Sequence, residues 1–332
     1  FCGYDTKGRV WVNWGWKGSD DGYYDVALLD PESYSFSAYQ DMVIGIEGTP
    51  RAQLSDTVNV ATPGELKSLI ADSLVSKIGL LKVNGTINST DMKLIRQMAG
   101  LDTLGEVSRG NLHTLDLSEA TIVAGGEPYL KDNSLLLSTA DNQMPERGFY
   151  GSRSLRTLLL PDNITTLGPG ALSGLSALDS VSLPEGADKN YVVVNHQVLS
   201  KDSTILLAVL PHAGSRVEVD KKVRVVGAYA MAGMRGASEL VFPETVDSLG
   251  SYSVANAVGL QAIRVNGKKV IPTGFQVFSG VNAANITLYV RAGQKDVFAR
   301  SANWSAFTKV VEFGTTIRAR STRREYGEPN PR

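Results

Sequence analysis

Apolar residues recur in a fixed order through the second half of the chain. The motif apolar-x-x-apolar-x-apolar occurs at residues 155–160, 178–183 and 260–265, and copies without the first apolar residue end at Val219 and Phe242. Consecutive copies are 23 residues apart, because 183 − 160, 242 − 219 and 265 − 242 all equal 23. One step is longer, since 219 − 183 = 36, which is 23 + 13. Each copy predicts a short buried strand.

A fixed step of this size predicts a solenoid, in which each repeat buries its apolar edge only against its neighbours. We expect an α/β-type leucine-rich repeat solenoid of short parallel strands with helical caps. Glycine follows the strand at one offset (Gly168, Gly227 and Gly250), which indicates either a positive φ or a close approach of two backbones. Four side chains at another offset are predicted to fill the core from the convex side: Phe149, Leu172, Met231 and Val254.

The longer step and the two ends of the array depart from the repeat. The extra 13 residues lie within 191–211, a β-rich stretch with a turn at Ser200–Ser203, which predicts a hairpin inserted on the rim. Degenerate copies at 112–117 and 288–290 extend the array, as expected where one face of a terminal repeat meets water.

The flanking segments predict the caps. Helices are expected from Thr62-Pro63, at Asp91–Ala99 and at Ala292–Ala302, with a strand at Leu80–Val83. After the last helix, Trp304, Phe307 and Val310 are predicted to cover the final strand. The predicted organisation is a distinct segment at 1–47, a linker at 48–58, an N-terminal cap at 59–111, repeats at 112–290, a C-terminal cap at 291–314 and a disordered tail at 315–332.

Composition narrows the choice of partner. The chain has 332 residues, 33 basic and 34 acidic side chains, and a formal net charge of −1. This balance argues against nucleic acid or an anionic membrane, because both require a basic face. No apolar run is long enough to cross a bilayer, and the single cysteine, Cys2, excludes an intramolecular disulfide. The chain begins at Phe1 without a signal peptide, so we expect it to be a piece of a longer protein. We also expect it to be a monomer.

Groups with obvious chemistry are few. The histidines His113, His196 and His212 are not spaced as metal ligands and have no cysteine partner, so we interpret them as rim or turn residues and predict no metal or cofactor. The strand positions between the core residues should line a concave binding face. Its charges are mixed and its aromatic residues scarce, which favours a polypeptide partner over a sugar. The leading candidates are Arg216, Glu218, Glu239, Val241, Arg264 and Tyr289.

Several stretches resemble the BspA-type leucine-rich repeat proteins of bacterial cell surfaces. They are Leu115–Val123, Leu155–Pro161, Val226–Ala230 and Thr287–Lys295. Met231 and Val254 depart from the phenylalanine that is usual in the family. The resemblance extends over residues 58–314 and implies adhesion through a protein ligand, such as a host extracellular protein.

Residues 1–47 have a different character and hold three of the four tryptophans. The stretch Asn13–Tyr24 resembles the C-terminal part of streptopain-like (C10 family) cysteine peptidases, although Lys17 replaces the glycine of that family. The resemblance implies papain-like chemistry, in which a thiolate attacks the peptide carbonyl and a histidine transfers the proton. It gives Asn13 the role of orienting that histidine and Trp14 the role of shielding their contact from water. The family's nucleophilic cysteine and catalytic histidine have no counterpart in this sequence, so we expect the chain alone to be inactive.

Three hypotheses remain open from the sequence. The chain is a surface or secreted recognition module with a vestigial peptidase piece, the targeting half of an active secreted C10 cysteine endopeptidase, or a spacer without a ligand. The first two imply an extracellular or bacterial cell-surface location.

Overall fold

The chain divides into two compact units, Phe1–Ala52 and Gln53–Arg332. The computed structural model describes residues 3–4, 9–12, 22–24 and 54–314. In the first unit, three short antiparallel strands pair in the order β1 (Gly3–Tyr4), β2 (Val10–Val12) and β3 (Gly22–Tyr24). Trp11 of β2 lies opposite Tyr23 of β3, and their rings meet edge-on with centroids 5.0 Å apart. This cross-strand aromatic pair stabilises the described part of the unit.

The second unit is built mainly from short strands, and helices are few. Its elements in chain order are β4 (Leu54–Val60), α1 (Leu66–Leu69), β5 (Ile78–Ile87), α2 (Ser89–Met98), β6 (Thr114–Asp116), β7 (Ala120–Ile122), β8 (Leu130–Asp132), β9 (Leu135–Leu137), β10 (Gln143–Met144), β11 (Thr157–Leu159), β12 (Thr166–Leu167), β13 (Ser180–Ser182), β14 (Tyr191–Val194), β15 (Gln197–Ser200), β16 (Ile205–Val209), β17 (Arg216–Glu218), β18 (Val225–Val226), β19 (Glu239–Phe242), β20 (Ser248–Leu249), β21 (Ala262–Val265), β22 (Thr287–Arg291), α3 (Lys295–Phe298) and β23 (Lys309–Phe313), with 3₁₀ turns at Ala283–Asn285 and Trp304–Ala306.

The repeat strands form two parallel sheets along one side of the solenoid. The first front sheet has the order β13-β11-β6-β5-β4, with β7 also paired to β5, and the second has the order β17-β19-β21-β22-β23. Val217 pairs with Leu240 and Leu240 with Ile263, so neighbouring strands are related by the 23-residue step. The solenoid fold predicted from the repeat is therefore confirmed.

In most front strands a central residue is buried in the core, whereas Val181 of β13 and Val310 of β23 are half-buried. Leu158, Leu240, Ile263 and Leu288 are all fully buried, and each such side chain contributes roughly 1.5–3 kcal/mol on transfer from water. The predicted convex-side residues are also buried, with exposures of 0% for Phe149, 4% for Leu172, 1% for Met231 and 0% for Val254. The regular spacing of apolar residues thus corresponds to buried positions that form two core clusters, and the insertion contributes residues to both.

The glycines after the strands are required by close backbone approach. At Gly250 an added Cβ would lie 2.6 Å from the backbone nitrogen of Ala228, and at Gly168 it would lie 2.7 Å from that of Glu146. Neither glycine has a positive φ. Of the two explanations that the sequence left open, contact between adjacent repeats is the correct one.

The N-terminal cap follows the prediction in part. Strand β5 and helix α2 lie where they were expected, and Asn88 and Asp91 form a reciprocal capping box at the start of α2. The buried Asp91 carboxylate also accepts hydrogen bonds from the backbone amides of Gly64 and Leu66, at 2.6 and 2.9 Å. The helix predicted from Thr62-Pro63 is shorter than expected, because α1 ends at Leu69 and the chain then continues in turns.

A buried arginine joins this cap to the first repeats. Arg96 of α2 is 1% exposed, and its guanidinium donates to the backbone carbonyls of Arg147, Gly148 and Asp102. Burial lowers the pKa of Arg96 to about 10, while Tyr129, whose ring lies beneath the guanidinium, opposes the shift. Removing this side chain would leave the carbonyl of Gly148 without its arginine donor, whereas the carbonyls of Arg147 and Asp102 would keep the backbone amides of Tyr150 and Gly105.

At the C-terminal end the helix is shorter than the predicted helix at 292–302. Only Lys295–Phe298 is helical, and the chain then adds the parallel strand β23 beside β22. Trp304 and Phe307 are buried as expected, and the indole nitrogen of Trp304 donates to the carbonyl of Ile271 at 2.8 Å. Val310 lies in β23 and pairs with Leu288, so it extends the sheet.

The insertion at 191–211 is larger than a hairpin. Strands β14, β15 and β16 form an antiparallel sheet, and β16 then pairs in parallel with β18 of the next repeat. The predicted turn at Ser200–Ser203 lies between β15 and β16. The insertion therefore joins a side sheet of the solenoid.

Two boundaries drawn from the sequence also change. Residues 54–58, assigned to the linker, belong to β4 and pair with β5. The tail at 315–332 lies outside the described residues.

We expect Gly250→Ala to lower the free energy of unfolding by about 1–3 kcal/mol, because the new Cβ would overlap the backbone at Ala228. Gly267→Ala is the matched control, since its Cβ would have only ordinary contacts, the nearest at 3.7 Å, and its φ is not positive. Urea denaturation of both variants measures the difference. Equal stabilities would contradict the packing role of Gly250.

Candidate binding surface

The candidate face lies on the second front sheet, where two rows of side chains alternate with the core. Register aligns Arg216, Glu239, Ala262, Thr287 and Lys309 in one row. It aligns Glu218, Val241, Arg264, Tyr289 and Val311 in the other. Parallel strands about 4.8 Å apart thus bring the predicted residues, which are distant in sequence, onto one surface.

This face is not continuous with the first front sheet. β13 and β17 are the terminal strands of their sheets and do not pair with each other. The rows that the sequence placed along a single face are therefore interrupted between Ser182 and Glu218. The interruption coincides with the insertion formed by β14, β15 and β16.

Charges on the second front sheet form a connected network. Arg216 is ion-paired with Glu239, Arg264 Nε lies 3.6 Å from the other carboxylate oxygen of Glu239, and Arg216 Nε lies 3.9 Å from Glu218. These groups are partly exposed, and single exposed pairs contribute only about 0–1 kcal/mol. The network fixes side-chain positions more than it stabilises the fold.

Val241 does not contribute to the exposed surface. Its side chain is fully buried, so placing it among the binding residues was wrong. It lies in register between Glu218 and Arg264, beside the charged network. The long aliphatic parts of such neighbours cover a short apolar side chain readily.

An arginine–aromatic cluster occupies the C-terminal end of the face. The Arg264 guanidinium carbon lies 4.8 Å from the centroid of the Tyr289 ring and 4.6 Å from that of Phe313. The guanidinium carbon of Arg291 lies 5.1 Å from the centroid of the same Phe313 ring, and Arg291 Nε donates to the carbonyl of Asn266. The sequence prediction missed Phe313 because β23 was not recognised as a strand.

A second aromatic row lies on the back of the solenoid. Tyr150, Tyr229, Tyr252 and Phe275 make successive ring contacts at 5.5, 5.2 and 5.7 Å, and Tyr229 and Tyr252 are stacked within 12° of parallel. Arg147 lies 5.4 Å from the Tyr229 ring. A signal was present in the sequence, because 252 − 229 and 275 − 252 both equal 23.

The break in the front sheet contains a cleft of about 530 Å³. One wall runs from Leu172 to Asp179 and the opposite wall from Met231 to Gly236, with the segment Val209–Ser215 between them. A second cavity of about 400 Å³ lies along β17 and shares Ala213 with the first. Both cavities adjoin the insertion.

The histidines contact backbone groups. His196 Nδ1 lies 3.1 Å from the carbonyl oxygen of Pro211, and His212 Nε2 lies 3.1 Å from that of Asp179. Burial lowers the pKa of His113, and the nearby Arg156 lowers it further. Within the described part of the chain, no cluster of three histidine, cysteine, aspartate or glutamate residues is placed to hold a metal ion.

Two of the site residues predicted from the sequence are not among the residues that the structure describes. Asn13 and Trp14, the supporting residues of the peptidase resemblance, lie outside the described residues.

The helices of the described ranges include none that is both long and apolar enough to cross a membrane.

The repeat region matches a known family. Residues 133–194 and 214–314 match the BspA type leucine rich repeat region in six copies. No curated protein matches the chain significantly.

Three solved structures are similar over most of the chain. A leucine-rich repeat protein from Eubacterium ventriosum is 18% identical, with 65% of this chain and 67% of that chain covered and a TM-score of 0.38. The pneumococcal vaccine antigen PcpA is 12% identical, with 72% and 69% covered and a TM-score of 0.33. A leucine rich cell surface protein from Faecalibacterium prausnitzii is 16% identical, with 73% and 65% covered and a TM-score of 0.40.

The back row yields a stability prediction. Tyr252 has φ 55°, a conformation that costs an L-residue about 1–2 kcal/mol and glycine almost nothing. Tyr252→Gly and Tyr252→Ala both remove the ring, so we expect the glycine variant to be the more stable by about 1 kcal/mol. Thermal unfolding of the two variants measures this difference. A more stable alanine variant would contradict the left-handed backbone at this position.

Proposed function

We propose that this chain, whose residues 133–194 and 214–314 match the BspA type leucine rich repeat region, is a recognition module that binds a polypeptide partner across its second front sheet. The observation that carries the proposal is the cluster of Arg264, Tyr289, Arg291 and Phe313 on the exposed side of that sheet. Arginine and tyrosine are among the residues most enriched at the energetic centres of protein interfaces. The flanking network around Glu239 supplies a polar rim.

The composition of the face favours a protein over other ligands. Each row carries both acidic and basic groups, so a highly charged polymer of one sign would meet repulsion as well as attraction. Sugar stacking requires free ring faces, whereas the guanidinium of Arg264 already occupies faces of Tyr289 and Phe313. A polypeptide with mixed polar and apolar side chains matches such a surface best.

The proposed setting is extracellular or at a bacterial cell surface, and the partner is a host extracellular protein. This part of the proposal is supported by the family of the repeats and by the resemblance of the sequence to surface proteins of that family. A spacer without a ligand is the competing hypothesis. It gives no role to an arginine–aromatic cluster on an exposed sheet.

We also propose that residues 1–47 are the C-terminal piece of a streptopain-like peptidase domain, with Asn13 and Trp14 in supporting roles. The support for this second function is the sequence stretch Asn13–Tyr24. In this view the repeats hold a peptidase at its target.

Substitution of the cluster tests the recognition function. We expect Arg264→Ala and Tyr289→Ala each to weaken binding at least tenfold, about 1.4 kcal/mol, because truncating a central arginine or tyrosine removes packed contact area. Binding is measured by surface plasmon resonance against a panel of purified extracellular host proteins. Lys222→Ala, which removes an exposed positive charge from the turn between β17 and β18, outside the two rows, is the control and should retain affinity.

Two outcomes would contradict this proposal. One is a wild-type protein that binds no member of the panel, which favours the spacer hypothesis. The other is binding that survives both cluster substitutions in variants whose melting temperatures match the wild type.

The peptidase proposal has a separate test. Intact mass and N-terminal sequencing of the native protein from its source cells should show a longer chain containing an upstream cysteine and histidine. We expect that longer protein to cleave casein and to lose this activity when the upstream cysteine is alkylated. A native protein that lacks either group would contradict the proposal.

A further inference from the structure

The insertion separates the two front sheets while the back of the solenoid remains continuous. On the back, the amide of Gly174 donates to the carbonyl of Ala232 at 2.8 Å, so the repeats on either side of the insertion are in direct contact. On the front, β13 and β17 are both terminal strands. The cleft of about 530 Å³ extends from this back contact to the segments that precede the two strands.

The edge of β13 has unused backbone groups. The amide of Ser180 donates to Arg156 and the carbonyl of Ser182 accepts from Leu160, so these two residues bond toward β11. Successive residues of a strand point their backbone groups to opposite sides, which directs the N–H and C=O of Val181 away from β11. Among residues 54–314, no strand pairs with that edge.

The facing edge of β17 is closed in a different way. Gln197 is 5% exposed, and its side-chain amide donates to the carbonyl of Glu218 at 2.9 Å and accepts from the amide of Asp220 at 3.0 Å. The side chain thus satisfies two backbone groups that a neighbouring strand would otherwise satisfy. Proteins commonly protect exposed edges against unwanted pairing. Here one edge is protected and the other is open.

The cleft beside the open edge can hold a side chain. Leu175 and Leu178 line it, and both are largely buried, while Met234 and Leu210 are half-buried on its other walls. Ser180 and Ser182 are exposed and small, so the front of β13 leaves room for a neighbouring backbone.

We propose that β13 binds an extended segment of the partner polypeptide, of about five residues, as an added strand, with one apolar side chain of that segment in the cleft. Only a peptide backbone offers an amide and a carbonyl at the spacing that the edge of Val181 requires. This inference rests on the proposed function, namely that the partner is a polypeptide, and it assigns a second contact site to that partner.

A proline substitution tests the added strand. Val181→Pro removes the outward N–H without removing a hydrogen bond to β11, and proline is tolerated on sheet edges. Val181→Ala is the control, because it removes more of the side chain than the proline variant does and keeps the N–H. The probe is a random dodecapeptide library displayed on phage and selected on the wild-type protein.

We expect synthetic versions of the enriched peptides to bind Val181→Ala within about threefold of wild type and to lose at least tenfold on Val181→Pro. N-methylation of alternate peptide residues should cause a similar loss on the wild-type protein, a readout that does not depend on how the variants fold. Ser176→Trp, on the wall of the cleft, should also weaken binding because it occupies the place of the apolar side chain.

Equal affinity for Val181→Pro and Val181→Ala, indifference to N-methylation, or a library without enriched peptides would overturn the inference. Host-protein binding that is lost on Arg264→Ala but unchanged by Val181→Pro would overturn it and leave the proposed function intact. Binding sensitive to Val181→Pro but not to Arg264→Ala would support the added strand and contradict the role given to the cluster.

Discussion

Contact between the backbones of adjacent repeats is the constraint on which the rest of the structure depends. Each repeat has too few apolar side chains for a core of its own, so the strands must lie side by side at the spacing of a sheet. Gly168 and Gly250 follow from this spacing, because any Cβ there would overlap the next repeat. The buried residues Leu158, Leu240, Ile263 and Leu288, one on each of four front strands, are its energetic consequence. Where the spacing is interrupted, at the insertion, the molecule acquires its clefts and its open edge.

The features that follow directly from the 23-residue repeat could be predicted from the sequence. Core positions, strand positions and the location of the insertion all follow from the 23-residue step. Features that depend on pairing between distant segments were missed: β16 joins β18 of the next repeat, and β23 joins β22 where the step has changed to 22, as Leu288 pairs with Val310. The helix predicted from Ala292 begins only at Lys295, after Gly293 has adopted a positive φ. Local pattern does not encode such tertiary choices.

The candidate site shows the same division. Arg216, Glu218, Glu239, Arg264 and Tyr289 lie in the two expected rows because register follows from the repeat. The burial of Val241 and the participation of Phe313 depend on side-chain packing, which no periodicity specifies. The proposal of recognition through this face therefore depends on side-chain contacts. The proposal of an added strand at β13 depends on the break between the two front sheets.

The measurement that tests this account most directly is amide-resolved hydrogen exchange of the protein without a partner. The central claim is that, among residues 54–314, the outer edge of β13 has no strand partner and no side chain bonded to the backbone of Val181, whereas interior strands of the two front sheets are paired on both sides. If so, the amide of Val181 exchanges close to the rate of an unprotected amide, while those of Leu158 and Leu240, in the interiors of the two front sheets, are strongly protected. Protection of Val181 equal to that of Leu158 would mean that the front sheet is continuous and would contradict the account.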